Sequence, residues 1–332
     1  MNKYKMVIVG ATGSAYKRTL PALRNSRICE VVALQGRNTE KLKQIAQEFS
    51  VPKIYVDAKE MLDKEKFDIV FIGTPPFMHF DDISLASKYG KIIISEKPLA
   101  SSLTDAEKIA KVLTSSGVKF MLAHHLRHQK SVSDIKRALE EHIIGDVLSV
   151  WGQWSFMLNK DAANAKWKLE PKLGGYGPFG DAGIHVIDMM IYLFGVPNYV
   201  VSHGFQLDFP LSNDNMTAIF GYGNKTIVLS ASQTMAKPGN HLLIYGQKGS
   251  IEVFNAFGEK SIRQVKFATK DEEKIVDYPA VNLYGTEVEN FLLSLDSGVP
   301  NIGTTLEEAI LGNRLIEAIN QSSTGHKYIK FS

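Results

Sequence analysis

Two stretches carry side chains whose types and spacing could do chemistry. The first is Lys91-Ile92-Ile93-Ile94-Ser95-Glu96-Lys97-Pro98, an apolar run that ends abruptly in an acid, a base and a proline. A strand apolar on both faces is buried on both faces, as in a parallel sheet covered by helices. Open α/β sheets bind ligands beyond the carboxyl ends of their strands. Pro98 fixes its own φ and keeps Lys97 out of the helical region, so the ammonium is held at a defined angle. A partly desolvated lysine so placed can polarise a substrate hydroxyl; a charged surface turn would read the same way. The second stretch runs from Gly174-Gly175 to Asp181-Ala182-Gly183-Ile184-His185-Val186-Ile187-Asp188. A helix starting near Asp181 puts Asp181 and His185 at i, i+4 on one face. An acid beside a histidine orients the ring and tunes its proton affinity, as general acid–base chemistry requires. The same pair also fits an acid at a helix start beside a core histidine, and Asp181, His185 and Asp188 could form a metal set.

These side chains need a frame. Met6–Val9 reads as a strand, followed by Gly10-Ala11-Thr12-Gly13-Ser14-Ala15 and a helical pattern through Leu20 and Leu23. Strand, glycine turn and helix make up a dinucleotide-binding arrangement. Gly10 permits the turn, the small residues at Gly13 and Ser14 let a pyrophosphate approach, and Ala15 allows close packing. Thr12 stands where the strict pattern has its second glycine. The next strand, Val31–Leu34, ends in Gln35-Gly36-Arg37-Asn38 without the acid that an NAD ribose wants. Gly36 leaves room and Arg37 supplies a cation for a 2′-phosphate, so NADP is expected ahead of NAD. Ile69–Ile72 closes in Gly73-Thr74-Pro75-Pro76-Phe77-Met78-His79, a rigid loop able to flank a nicotinamide. Thr74, Pro75, His79, Glu96 and Lys97 join the expected cofactor set, although His79 also fits a residue that caps or packs the next helix. Thr104-Asp-Ala-Glu reads as a helix cap. The alternation of strands and helices over residues 1–124 predicts a doubly wound parallel sheet.

From residue 125 the texture changes. His124, His125 and His128 crowd around Arg127, but no acid or cysteine joins them at ligand spacing, so no metal is expected there. Arg127 could bind substrate or pin a hinge. Val147–Trp154 alternates apolar and polar residues, and strands follow near 218–221, 226–230, 242–245, 251–253 and 265–268. They predict an α+β second domain over 125–332 built on a large open, mostly antiparallel sheet. One sheet face lacks cover, which points to a homodimer or homotetramer. A helix over about 305–321 is expected to pack back on the first domain.

Composition narrows the classes. The 332 residues are 44% hydrophobic and 22% charged, enough for a two-domain globular chain, and the net charge of +3 is too small and dispersed for nucleic acid or membrane surfaces. The single cysteine, Cys29, leaves no intrachain disulfide. The opening residues run straight into a strand and no long apolar segment follows, so a cytoplasmic protein without a membrane span is expected.

The ordered set Gly10-Ala-Thr-Gly-Ser-Ala15, Thr74-Pro75-Pro76-x-x-His79, Glu96-Lys97-Pro98-Leu99, Gly174-Gly175…Asp181-Ala-Gly-Ile-His185-Val-Ile-Asp188, Gly246-Gln-Lys-Gly249-Ser-Ile251 and Glu287-Val-Glu-Asn-Phe291 resembles the Gfo/Idh/MocA oxidoreductase family across nearly the whole chain. The resemblance implies an N-terminal Rossmann domain, a C-terminal α/β domain often used in oligomerisation, and hydride transfer between NAD(P) and a sugar, polyol or related carbonyl compound. It implies that Lys97, Asp181 and His185 are catalytic, with Lys97 and His185 as the acid–base pair, and that the Lys97–Pro98 bond is cis. Thr12 departs from the commonest pattern, and Gly36-Arg37 looks like the NADP-preferring members. Substrate contacts are expected from Arg127, Trp154, Trp167, Lys168 and Tyr284. Two other functions remain open on this fold: a dinucleotide-binding sensor or regulator, and a glycosidase that retains NAD.

Overall fold

The computed structural model describes residues 3–162, 165–209, 213–237 and 240–331. The chain divides into two compact units, Met1–His125 with Tyr284–Ile310, and Leu126–Leu283 with Leu311–Ser332.

The first unit contains β1 (Tyr4–Val9), β2 (Cys29–Gln35), β3 (Lys53–Tyr55), β4 (Ile69–Ile72), β5 (Ile92–Glu96) and β6 (Phe120–Ala123). Their order is β3-β2-β1-β4-β5-β6 with every pair parallel, the doubly wound arrangement expected from the alternation. The unbroken apolar runs follow from two cores. Met6, Ile8, Ile69, Phe71 and Ile94 enter one, and Val7, Val9, Val70, Ile72 and Ile93 the other, because successive side chains point to opposite faces. On the first face lie Leu42 and Ile45 of helix Thr39–Glu48. With them lie Val288, Phe291 and Leu292 of helix Leu283–Ser297. The Tyr4 hydroxyl donates to Asp296 at 2.6 Å and Ser26 Oγ to Glu289 at 2.6 Å. The division therefore differs from a single boundary at 124/125. Helix Leu283–Ser297 covers the first sheet, and the last helix, Leu306–Gly325, is shared, leaving the first unit at Ile310. Helix Leu103–Ser116 is capped by Ser102, whose Oγ accepts from Asp105 N at 3.1 Å, and not from Thr104 onward. The helical pattern after the glycine turn breaks at Arg18 into Ser14–Lys17 and Thr19–Leu23, as Pro21 has no N–H to continue it.

The second unit holds β7 (Val147–Ser155), β8 (Tyr199–Phe205), β9 (Asn215–Tyr222), β10 (Lys225–Ser232), β11 (Asn240–Gly246), β12 (Gly249–Phe254), β13 (Gln264–Thr269), β14 (Glu273–Asp277) and β15 (Ile329–Lys330). They form one sheet in the order β14-β13-β12-β11-β7-β10-β9-β8-β15, antiparallel apart from β7–β10. One face packs on helices Lys130–Glu140 and Ile184–Phe194 and on Leu315, Ile316 and Ile319 of the last helix. On the other face Leu243, Trp151, Val228, Ile219 and Val201 stand opposite one another across five adjacent strands. Trp151 is 51%, Ile219 42% and Val201 40% exposed. Strands β8, β14 and β15 were not expected: β8 carries Ser, His and Gly, β14 is highly charged, and β15 has two residues.

Candidate active site

In the first unit the expected cofactor residues gather at the carboxyl ends of β1, β2, β4 and β5. Gly10 has φ +79°, and a Cβ there would lie 2.6 Å from Thr74 Cγ2 and 2.7 Å from Thr74 N. Only glycine lets the ends of β1 and β4 approach this closely. A Cβ on Gly73 would come within 3.1 Å of Ala15 Cβ, so Ala15 packs directly on the end of β4. A Cβ on Gly13 would meet nothing nearer than Gly73 O at 4.0 Å, which leaves the turn a face on which a pyrophosphate fits.

The two departures from the common pattern meet. A Cβ on Gly36 would lie 3.0 Å from Thr12 Cγ2, so the side chain missing at Gly36 makes room for the one added at Thr12. Arg37 is exposed just beyond. Asn38 caps helix Thr39–Glu48 by accepting from Lys41 N at 3.0 Å, and Lys41 Nζ donates to Thr12 O at 2.8 Å. Lys41 thus brings a second cation to the glycine turn, and only its spacing from the Asn38 cap could have revealed it.

Lys97 is half-buried at the end of β5, and its bond to Pro98 is cis. The adjacent Glu96 accepts from Ser14 Oγ at 2.9 Å, and Ser14 Oγ in turn accepts from Arg18 at 3.1 Å. The Arg18 guanidinium lies 5.8 Å from the Tyr284 ring, which packs tilted against His125 at 4.5 Å. Sequence reasoning missed Arg18; its position four residues after Ser14 was the available signal. Thr74 Oγ1 donates to Asp82 at 2.6 Å; burial pushes the Asp82 carboxyl above its usual range, against that hydrogen bond.

His79 is a correction. It is fully buried, and its ring nitrogens face Leu99 O at 3.1 Å and Thr74 O at 2.9 Å, so it holds main chain and has no face for a cofactor. Burial pushes its pKa below the ordinary histidine value, opposed by the two carbonyls and by Asp82 and Glu96.

In the second unit His185 opens helix Ile184–Phe194, 4% exposed, with its ring 4.7 Å from that of Trp154 on β7. Phe257 stacks behind Trp154 at 6.4 Å and 12°. A Cβ on Gly152 would lie 2.8 Å from Val186 Cγ1, so the bare backbone of β7 lets this helix lie flat on the sheet. Asp181 differs from the expected α-helical start: it sits in a π-helical turn, Phe179–Gly183, and forms an ion pair with Lys168 at 2.6 Å. Such single π turns recur at functional sites. Trp167 lies 5.8 Å from Lys168 Nζ. Arg127 is a second correction. Its guanidinium is buried and held by both Asp188 oxygens, at 2.9 and 2.7 Å, with the Tyr192 ring 5.0 Å away. Within the second unit it ties the Leu126–His128 turn to helix Ile184–Phe194 through this buried pair. Among the described residues no group of three His, Cys, Asp or Glu side chains is placed to hold a metal, and no helix is long and apolar enough to cross a membrane.

Comparison with known proteins decides the family. Residues 4–124 match the model of the oxidoreductase family, NAD-binding Rossmann fold, and residues 136–331 match that of the oxidoreductase family, C-terminal alpha/beta domain. The chain belongs to this oxidoreductase family. It is 31% identical to D-apiose dehydrogenase of Paraburkholderia graminis over 197 residues, 59% of this chain and 51% of that protein, so the match spans about half of that relative. Against the D-xylose 1-dehydrogenase [NADP(+)] of Haloarcula marismortui it is 23% identical over 311 residues, 87% of this chain and 83% of that one. The crystal structure of aldose-aldose oxidoreductase from Caulobacter crescentus superposes with a TM-score of 0.89 at 20% identity, covering 99% of this chain and 100% of that one. For this oxidoreductase chain the structural likeness extends to the whole fold.

Proposed function

We propose that this chain is an NAD(P)-dependent dehydrogenase or reductase acting on CH–OH groups of a sugar, polyol or related hydroxy or carbonyl compound. The observation that carries the reading is Lys97, half-buried at the end of β5 next to a glutamate tied to the glycine turn, in a chain whose two halves both match the oxidoreductase family. Relatives named for apiose and xylose support a sugar-like substrate. The turn from Gly10 to Ala15 holds the dinucleotide, with Thr74, Pro75 and Glu96 beside it. The nicotinamide, when bound, accepts or supplies the hydride. In oxidation His185 takes the hydroxyl proton, Lys97 stabilises the developing alkoxide, and Asp181 positions substrate or ring, with Lys168 beside it. Trp154, Trp167 and Tyr284 offer aromatic faces to the carbohydrate.

NADP is the preferred cofactor in this reading, because Arg37 and Lys41 flank the end of β2 where an acid would favour NAD. Arg37→Ala should weaken NADP by about 1–3 kcal/mol and leave NAD nearly unchanged; equal losses in a binding titration would end the preference. The apolar row on the sheet's exposed face is the surface through which two or four copies associate, and light scattering showing a monomer at micromolar concentration would count against it. The protein acts in the cytoplasm in this reading, checked by fractionation of cells that express it.

A panel of sugars and polyols, assayed by absorbance with NADP and NAD, tests the activity. On a responsive substrate Lys97→Ala should lower kcat by about 10²–10³ and His185→Ala by about 10²–10⁴. A Lys97→Ala protein with wild-type kcat would overturn the assignment and leave a dinucleotide-binding sensor as the better reading.

A further inference from the structure

Lys97 is carried on a loop, and that loop is tied to its neighbour by a side chain that touches no solvent. β4 and β5 are adjacent parallel strands, paired from Ile69↔Ile92 to Ile72↔Ser95. Beyond them the chain leaves the ladder, through Thr74-Pro75-Pro76 after β4 and Lys97-Pro98-Leu99 after β5. Three prolines in these six residues remove half of the N–H groups that could have joined the two loops. His79 supplies the missing connection. It is 0% exposed, its Nε2 is 2.9 Å from Thr74 O, and its Nδ1 is 3.1 Å from Leu99 O. Both partners are acceptors, so the ring donates to one of them when neutral and to both when protonated.

The anchoring is stiff on each side. Thr74 is held a second time, through Oγ1 to Asp82 at 2.6 Å, and Asp82 shares the helix His79–Ala86 with the ring itself. Ile83 and Ala86 of that helix, and Leu99 and Ala100 of the second loop, are all 0% exposed in one apolar cluster. The imidazole therefore bridges two segments whose other atoms are already packed, and the distance it fixes is the one from the Thr74 loop to the residue two places after Lys97.

We propose that His79 is a positioning residue for Lys97: by holding the Leu99 and Thr74 carbonyls it sets where the Lys97 ammonium stands relative to the Thr74–Pro75 loop. This rests on Lys97 being the alkoxide-stabilising group. Its consequence is kinetic, since misplacement of a catalytic group by about 1 Å can cost on the order of 10² in rate. Cofactor affinity should move less than kcat, because Thr74, where the bridge meets the strand end that packs on Gly10, is held a second time by Asp82.

The test is a double-mutant cycle on the full chain, because only coupling separates positioning from general support. His79→Phe keeps a flat ring and removes both ring nitrogens, and with them the N–H that the neutral ring donates to one of the carbonyls. His79→Gln returns a donor to one carbonyl and stands in if the Phe variant does not fold. In the wild-type background His79→Phe should lower kcat by about 10- to 100-fold and His79→Gln by less, while the NADP and NAD dissociation constants, measured by fluorescence titration, change by less than about threefold. In the Lys97→Ala background either substitution should lower kcat by less than about threefold. An equal fold-loss in both backgrounds, or an unchanged kcat when His79 alone is replaced, would overturn the proposal. A wild-type kcat for Lys97→Ala alone would overturn the reading of Lys97 itself, so the two failures are told apart.

Discussion

The two units fix their candidate site residues by different means. In the first, main chain supplies partners, beside the side-chain links of Ser14 with Glu96 and Thr74 with Asp82. Gly10 lets two strand ends touch, Pro98 aims Lys97, Lys41 holds Thr12 O, and His79 holds two carbonyls. In the second, the partners are side chains: Arg127 with Asp188, Lys168 with Asp181, Trp154 with His185. The difference follows from the sheets. A parallel sheet covered on both faces ends in loops whose geometry is set by backbone approach. In the second unit the candidate residue His185 lies on a helix against a wide sheet, and a helix is placed by what its side chains grip. A site made by backbone contact should be intolerant of added atoms, and one made by ion pairs should be intolerant of lost charge.

The largest expected effect is in the second unit. Arg127→Ala leaves the Asp188 carboxylate buried without its bidentate partner, and removing one member of a buried pair costs about 3–5 kcal/mol. Replacing both, as Arg127→Met with Asp188→Leu, should recover most of that loss, since the pair's net worth over apolar packing is small. Urea denaturation measures both. A loss below about 1 kcal/mol for Arg127→Ala would break the comparison at its strongest point.

Gly10→Ala is the matching change in the first unit. It adds one methyl at φ +79°, 2.6 Å from Thr74 Cγ2 and 2.7 Å from Thr74 N. Backbone strain of this kind costs about 1–3 kcal/mol, and the shift needed to relieve it should abolish measurable dinucleotide binding. Calorimetric titration that shows unchanged NADP affinity in a folded Gly10→Ala protein would mean that the turn is less tightly specified than the strand-end contacts indicate.

The same contrast explains what could be read in advance. Backbone devices leave local marks, so Gly10, Ala15, Pro75 and Pro98 announce the first unit's strand ends in a few residues each, and the doubly wound parallel sheet follows from the alternation. Side-chain partnerships leave none. Arg127 and Asp188 are 61 positions apart, and nothing near either shows that the arginine is buried. The π turn at Asp181 arises in a glycine-rich stretch that reads as an ordinary helix start. Helix Leu283–Ser297 shows in the sequence only as the Glu287–Phe291 motif, and nothing there marks it as a cover for a sheet formed in the first third of the chain. His79 was legible as a motif residue, yet its role lies in carbonyls twenty residues away and five residues back.

The smallest predicted effect tests a place where the two modes merge. Asp214, at the start of β9, is 0% exposed, and one side chain gathers the main-chain N–H groups of Leu207, Asp208 and Phe209 at 2.9, 2.7 and 2.9 Å, with the Asn215 amide at 2.7 Å. Burial works to raise its pKa, but the four donors outweigh it and hold the carboxyl below the usual range. A depressed folded-state value means that the unfolded chain takes up the proton first as the pH falls. The stabilisation is therefore complete above the unfolded value of about 3.9 and lost as the pH drops through the lower folded value. Asp214→Asn keeps the shape but makes the group neutral, turns one acceptor into a donor facing N–H groups, and should cost about 1–2 kcal/mol at neutral pH. It should also remove this group's share of the acid limb, so the difference in stability between wild type and variant narrows below about pH 4. Denaturation midpoints followed from pH 7 to pH 3 measure it. A gap that stays constant through that range would show that the charge on Asp214 contributes nothing and that the turn is held by its backbone alone, as in the first unit.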